Sequence, residues 1–227
     1  MPVPIPELSG ASIIIIGDFP PEVFHPSWFV ARHLLASADA EEAKIDLISP
    51  DIASFSASWL RFSAERGRLQ FAVTAEPIVR IMDIAMGTVA LFPESPVKLI
   101  GLNRDAHIKM VSLEAFHKVG DTLAPKECWP KEFSESDPQN PGIRGGMRSL
   151  IMEKLRTDPP GFLHMRIEPS TVLRPTGVFV GANDHFDFTK RSEPLLGGGA
   201  AEFINDRWRA SMDYADHVRN SLLERIL

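Results

Sequence analysis

Cysteine is almost absent from this chain: Cys128 is the only one among its 227 residues. No disulfide can form within the chain, which is typical of proteins in a reducing compartment. Long apolar runs are lacking too, since the clearest one, Ile13–Ile16, is far shorter than the roughly 20 residues of a membrane helix. The first residues combine several prolines with no positive charge, so no signal helix is predicted there. We therefore expect a cytoplasmic protein outside the membrane.

An excess of basic residues is also lacking. The formal net charge is −6, and no cluster of Lys and Arg alternates with aromatic residues. Because nucleic-acid binding needs a basic surface, this composition disfavours nucleic acid as a partner. Apolar residues make up 44% of the chain, which is enough for a globular protein with a core.

The chain does contain two similar short segments, Gly101–Ile108 and Gly181–Phe188. Aligned without a gap, each has a glycine, an apolar residue, an asparagine, and then Asp and His at alternate positions. Side chains alternate between the faces of a strand, so each segment is expected to present three polar residues on one face. These are Asn103, Asp105 and His107 in the first segment, and Asn183, His185 and Asp187 in the second. We interpret the likeness as an internal repeat.

Periodicity and turn signals predict an α+β fold. The β-branched run at Ile13–Ile16 is predicted to form a buried strand. A hairpin is indicated around Gly67, with predicted strands over Phe55–Phe62 and Leu69–Thr74. Another is indicated around Gly161, and a further one pairs Thr171–Leu173 with Val178–Phe188. Ser112 is placed to cap a helix that ends before Pro125. Strands and helices are grouped rather than alternating, which favours antiparallel sheet with helices packed on one side.

The predicted organisation has two pseudo-repeated halves. The first is an α+β unit over residues 11–125, and the second covers residues 147–227 and includes a terminal helix. Residues 126–146 are rich in Pro, Gly and Ser and have no periodicity, so they are predicted to form an irregular connecting loop that serves as a lid, an interface or a mobile link.

The polar faces of the two segments are the main candidates for chemistry. If the two strands lie side by side, carboxylates and imidazoles could converge and hold one divalent metal ion or act as an acid–base pair. The four candidate ligands are Asp105, His107, His185 and Asp187. The alternative is that both asparagines bond local backbone while the charged residues coat a solvated surface, in which case no cofactor is needed.

The C-terminal segment predicts a long amphipathic helix. About 27 residues at 1.5 Å each would give roughly 40 Å, which is more than one crossing of a small protein requires. Its apolar stripe could dock on the sheet or bind a partner or a second copy. The stripe residues taken as candidates for partner binding are Ile204, Trp208, Ala215, Val218, Leu222 and Ile226.

Four blocks carry a resemblance to known sequences: GLNRDAH from Gly101, LAPKE from Leu123, GMRSL from Gly146 and NDHF from Asn183. With these blocks the chain resembles bacterial proteins of similar length and sporadic distribution, over Ile13 to Phe188. The resemblance brings no established activity and assigns no catalytic residue. Sporadic distribution is compatible with an accessory or defence-type role.

Two functional hypotheses follow. The first is a binding or interaction protein, either a homo-oligomer or a non-catalytic subunit of a complex, because no strong catalytic motif is present. The alternative is a metal-dependent hydrolase that uses the paired Asp and His residues. A small-molecule site between the two halves is a third possibility.

Overall fold

A computed structural model describes residues 4–73 and 76–227. The five α-helices of this part are α1 (Pro26–Ala31), α2 (Ser37–Glu41), α3 (Val79–Ala90), α4 (Leu113–Leu123) and α5 (Gly197–Ile226). The first six strands are β1 (Leu8–Gly17), β2 (Lys44–Ile48), β3 (Ile52–Ser56), β4 (Arg61–Glu65), β5 (Arg68–Val73) and β6 (Pro96–Lys109). The remaining strands are β7 (Ser136–Asp137), β8 (Asn140–Arg144), β9 (Leu150–Thr157), β10 (Pro160–Pro169), β11 (Gly177–Asp187) and β12 (Leu195–Leu196).

Local signals account for several of these boundaries. Gly67 has φ 81° in the turn between β4 and β5, a conformation that glycine adopts without steric cost. Ser112 caps α4, since its side chain accepts a hydrogen bond from the amide of Ala115. The cap satisfies one of the amides that the first turn of a helix leaves free.

Nearly all strands join one large antiparallel sheet. Its order is β2-β3-β4-β5-β1-β6-β11-β10-β9, with β12 added beside β6, which gives ten strands. Strands β7 and β8 form a separate two-stranded sheet. The observed architecture confirms the predicted α+β class with antiparallel sheet and a long C-terminal helix.

The helices pack on one face of the large sheet, where two apolar clusters form the core. The first cluster joins β1, β3, β4 and β5 to α1, α3 and the first half of α5. The second joins the far ends of β6 and β11 and the middle of β10 to α4 and the second half of α5. Strand residues in both clusters alternate with less buried ones, so a single face of the sheet is covered by helices.

Helix α5 runs along the two central strands. Ile204 and Trp208 belong to the first cluster, while Ala215 and Ile226 belong to the second. The helix has 30 residues and β6 has 14, which correspond to about 45 Å and about 46 Å at their usual rises. The helix therefore has no surplus length, because β6 is long enough to hold its full apolar stripe.

Two short strand predictions were wrong. No strand forms at Thr171–Leu173, because Ser170 Oγ accepts hydrogen bonds from the amides of Val172 and Leu173 and makes a turn there. The stretch predicted as one strand over Phe55–Phe62 is split, since the amide of Ala57 bonds the carbonyl of Leu60 between β3 and β4. Thr74, the predicted end of β5, lies outside the described residues.

The connecting segment, residues 126–146, was predicted to be irregular, but parts of it form regular structure. It contains two short 3-10 turns, at Lys126–Cys128 and Lys131–Ser134, before strands β7 and β8.

Within the described ranges, none of the helices combines the length and apolar character required to cross a membrane.

Candidate functional site

The two similar segments are neighbouring strands in the centre of the sheet. In the antiparallel register of β6 and β11, Asn103 lies opposite Asn183, Gly101 opposite His185, and Asp105 opposite Gly181. Opposed residues of a ladder share a face, and the core-facing residues are the intervening ones. All six predicted polar side chains therefore lie on the face that the helices leave uncovered.

The register also decides which of these side chains meet. The two asparagines lie at the centre, and the remaining polar residues run away from it in opposite directions. His107 lies opposite Phe179, six residues along β11 from His185, which corresponds to about 20 Å. Asp105 and His107 therefore do not converge with His185 and Asp187 on one metal ion. In the described ranges, no group of three or more His, Cys, Asp and Glu side chains could hold a metal ion.

The central amides are only partly satisfied. Asn103 Nδ2 donates to Ser12 Oγ at 3.1 Å, and β1 thereby extends the polar row. Asn183 Oδ1 is buried and accepts no hydrogen bond from the described residues. Gly101 leaves room beside both amides, since a Cβ built on it would lie 3.5 Å from Asn183 Oδ1. The centre of the face therefore holds a buried acceptor without a donor. A ligand with an N–H or O–H group could satisfy it only after neighbouring side chains move, because the atom is not exposed.

Asp105 is flanked by glycine on both neighbouring strands. Gly10 and Gly181 lie opposite it in β1 and β11, and a Cβ on Gly181 would lie only 3.1 Å from its Oδ1. The carboxylate has no hydrogen-bond partner among the described residues. Burial raises the pKa of Asp105, although the charges of Arg104 and Arg166 oppose this. The glycines thus keep a poorly solvated carboxylate accessible.

Aromatic rings border the polar centre on one side. The ring of His185 stacks on Phe162, with centroids 4.5 Å apart and an angle of 9°. Phe162 in turn stacks on His164 at 4.0 Å, and His164 Nε2 lies 2.7 Å from Glu153 Oε2. Burial lowers the pKa of His185, so its ring is neutral at neutral pH and offers an uncharged stacking surface.

A second aromatic pair borders the opposite side. His107 packs against Phe179 with centroids 4.9 Å apart, and its Nδ1 lies 2.9 Å from Ser170 Oγ. Burial lowers the pKa of His107, with the charge of Glu168 acting in the other direction. His107 is therefore oriented by a turn residue.

Asp187 has a local role at the end of β11. Its Oδ1 accepts hydrogen bonds from the Thr189 hydroxyl at 2.6 Å and from the Thr189 amide at 2.8 Å. The hydroxyl contributes most and the amide next to holding the pKa of Asp187 below its usual value. This geometry is that of an Asx turn.

Sequence reasoning missed the polar residues on the covered face of the same two strands. Arg104 is buried and bonds Asp216 of α5 at 3.1 Å. Asp184 accepts from Arg156 at 2.5 and 2.7 Å, and from Ser211 of α5 at 2.7 Å. These contacts lie between the two apolar clusters and fix α5 on the strands that carry the site. The sequence did contain a signal for these contacts: Arg104 and Asp184 are charged residues at core-facing positions of β6 and β11.

The six residues predicted as partner-binding occupy the sheet side of α5. Four are buried in the two clusters, and Val218 and Leu222 are partly buried against the second. The chain's own core therefore covers most of this stripe, and partner binding through it stays a prediction.

Comparison with known proteins adds little to this geometry. No known protein family matches the chain, and no curated protein does. Among solved structures, a rolling circle replication initiator protein from Geobacillus stearothermophilus is 10% identical. The match covers 88% of this chain and 80% of that chain, with a TM-score of 0.34. A likeness this weak transfers no property to the present chain.

Proposed function

We propose that this chain works by binding, and that its ligand lies on the uncovered sheet face over Asn103 and Asn183. The observation that carries the proposal is the pair of unsatisfied acceptors there. Asn183 Oδ1 is buried without a donor, and Asp105 has no hydrogen-bond partner in the described part of the chain. Groups of this kind reduce stability unless something else satisfies them.

The chemistry of the face defines the ligand class. Two acceptors require a molecule with several N–H donors, and the flanking rings favour a flat one that can stack. The imidazoles of His107 and His185 are neutral, because burial lowers the pKa of both. The carboxylate of Asp105 favours a neutral or cationic ligand over a polyanion at this face. We therefore propose a small, planar, N–H-rich molecule, such as a guanidino compound or a guanine-type base.

Agmatine and guanosine are suitable probes of this proposal. Each would be titrated while the side-chain amide signals of Asn103 and Asn183 are followed by NMR. We expect saturable shifts of these signals with at least one probe, together with a rise in the melting temperature as the probe concentration exceeds its Kd.

Asp105→Asn tests the role of the carboxylate, because it removes the charge and leaves the shape. We expect it to weaken probe binding about tenfold or more. Asp187→Asn is the matched control: it is the same substitution on the same face, but its carboxylate is engaged by Thr189, so affinity should not change. Unchanged amide signals with both probes, or equal losses in both variants, would refute the proposal.

A second observation favours a subunit or self-associating role. Strand β9 is an edge of the large sheet, and it exposes Ile151, Met152 and Leu155 by 54%, 60% and 74%. It contains no proline. Edge strands of this kind are usually protected because they pair with other chains. We propose that a second copy pairs with β9, which moves the predicted partner surface from α5 to the sheet edge.

The mass in solution tests this second proposal. The intact chain is expected to sediment above the mass of one chain at micromolar concentration, and Leu155→Lys is expected to return it to the monomer. Val172→Lys is the control, since Val172 is also exposed but lies in a turn. A monomeric intact chain contradicts self-association through β9.

A further inference from the structure

A large cavity lies outside the polar face, at the far end of β10 and β11. It has a volume of about 930 Å³ and is bounded by α4, the connecting segment before β9, and the turn between β10 and β11. Volumes of this size are typical of sites for small organic molecules. The cavity is therefore a second candidate site, separate from Asn103 and Asn183.

One wall of the cavity is apolar. Val119 of α4 and Ile167 of β10 are buried in the second cluster, and Phe116 and Met147 pack against that cluster. Phe133 of the connecting segment also lines the cavity. An aliphatic or aromatic body that packs on these side chains would be removed from water.

The cavity is also lined by charged residues of both signs, with Asp121, Glu132 and Glu168 as the acidic ones. The basic ones are Lys126, Arg144, Arg148 and Arg174. Arg148 and Arg174 are exposed and have no ion pair among the described residues. Two guanidinium groups are thus available to an anion without breaking an existing pair.

The third guanidinium, Arg144, is held in place. Asp121 accepts from Arg144 Nη2, and Lys126 Nζ lies 2.8 Å from the other oxygen of Asp121. Burial opposes ionisation of Asp121, but the two cations outweigh it and hold the pKa of this carboxyl below its usual value. Arg144 Nε remains buried without an acceptor in the described part of the chain. This donor lacks a partner that a bound anion would supply.

We infer that the cavity binds a small organic anion whose carboxylate or phosphate group meets Arg144, Arg148 and Arg174. The apolar body of the ligand packs on Phe116 and Met147. This site is independent of the ligand proposed for the sheet face, because that ligand is neutral or cationic and contacts other residues.

Two fluorescent probes with the same apolar body separate charge from hydrophobicity. Anilinonaphthalene sulfonate carries an anionic group, and phenylnaphthylamine lacks it. We expect the intact chain to bind the sulfonate at one saturable site and at least about tenfold more tightly than the neutral probe. Decanoate and naphthyl phosphate then compete for the site and show whether the carboxylate or the phosphate group is preferred.

Substitutions test the location. Arg148→Gln with Arg174→Gln should weaken sulfonate binding about tenfold and leave the neutral probe unchanged. Arg61→Gln with Arg225→Gln is the control, since it makes the same change of charge at exposed positions away from the cavity and should have no effect.

Gly120→Leu tests the cavity without changing its charge. Gly120 lines the cavity in α4, and a Cβ there would lie 3.6 Å from Met147 Cβ, an ordinary contact. Leucine favours helix over glycine, so the variant should fold with an unchanged or higher melting temperature and lose both probes. No saturable sulfonate binding, equal weakening by the control pair, full binding by Gly120→Leu, or no displacement by either competitor would overturn the inference.

Discussion

Asp105 and Asp187 lie on the same face of two paired strands, yet their surroundings act on them in opposite directions. Burial between glycines raises the pKa of Asp105, whereas hydrogen bonds from Thr189 lower that of Asp187. A raised pKa in the folded state means that the ionised carboxylate opposes folding. Asp105 thus lowers stability at neutral pH.

Asp105→Asn should therefore stabilise the free protein at neutral pH. The gain should shrink as the pH falls through the raised pKa of Asp105, and vanish below its ordinary value of 3.8. The reason is that the carboxyl is then protonated in both the folded and the unfolded protein. Urea unfolding of the variant and the intact chain at several pH values measures this difference in the free energy of unfolding.

Asp187→Asn should instead destabilise the protein at neutral pH. Its lowered pKa means that the ionised form contributes stability above the ordinary value of 3.8, and that this contribution is lost as the pH falls. A gain in stability from both variants at neutral pH would contradict the assigned environments.

At the scale of elements, α5 determines how the two central strands are held. Trp208 is buried against the first cluster, Ser211 bonds Asp184, and Asp216 bonds Arg104. The helix thus fixes the side of the sheet opposite to the candidate site. We expect a change in the packing of α5 to shift β6 and β11 through its contacts with Arg104 and Asp184, and so to alter the candidate site.

Trp208→Ala should lower the free energy of unfolding by about 3–5 kcal/mol, because it leaves a large cavity in the core. Arg209→Ala is the control: its side chain is 92% exposed and its ion pair with Asp213 is long at 3.6 Å, so its effect should be well under 1 kcal/mol. Denaturant unfolding of both variants compares them. Similar losses would show that α5 does not pack as described.

At the scale of the whole molecule, β6 links the two predicted halves. It pairs with β1 on one side and with β11 on the other, and α5 packs on both clusters. The sheet is therefore continuous from residues 11–125 into residues 147–227. Residues from both halves build the candidate site at Asn103 and Asn183.

We expect the halves to unfold together because of this shared sheet. Tryptophan fluorescence and far-UV circular dichroism should give the same thermal midpoint, and amide exchange in β1 and β10 should report similar opening energies. Two separate transitions would instead show that residues 11–125 and 147–227 are independent units.

Local structure was largely predictable from the sequence. The β-branched run at Ile13–Ile16 indicated a buried strand, Gly67 a hairpin, and Ser112 the start of a helix. These signals depend on contacts within a few residues, so the sequence pattern carries them directly. The shared facing of Asn103, Asp105 and His107 followed from the period of a strand in the same way.

The candidate site itself could be predicted only in part. Placing Asn103 beside Asn183 requires a register between strands 80 residues apart, and that register is set by burial of both strands against α5. The same pairing separates His107 from His185, which no local pattern shows. The burial of Arg104 and Asp184 likewise depends on groups from distant elements.

The amino-acid sequence by itself determined the elements of this protein and the polar residues that line its central strands. The tertiary structure alone decided that the two asparagines meet, that the imidazoles lie apart, and that the stripe of α5 is covered. The physical reason is that helical and strand periodicity arises from neighbours along the chain, whereas pairing and burial arise from contacts between residues far apart in it.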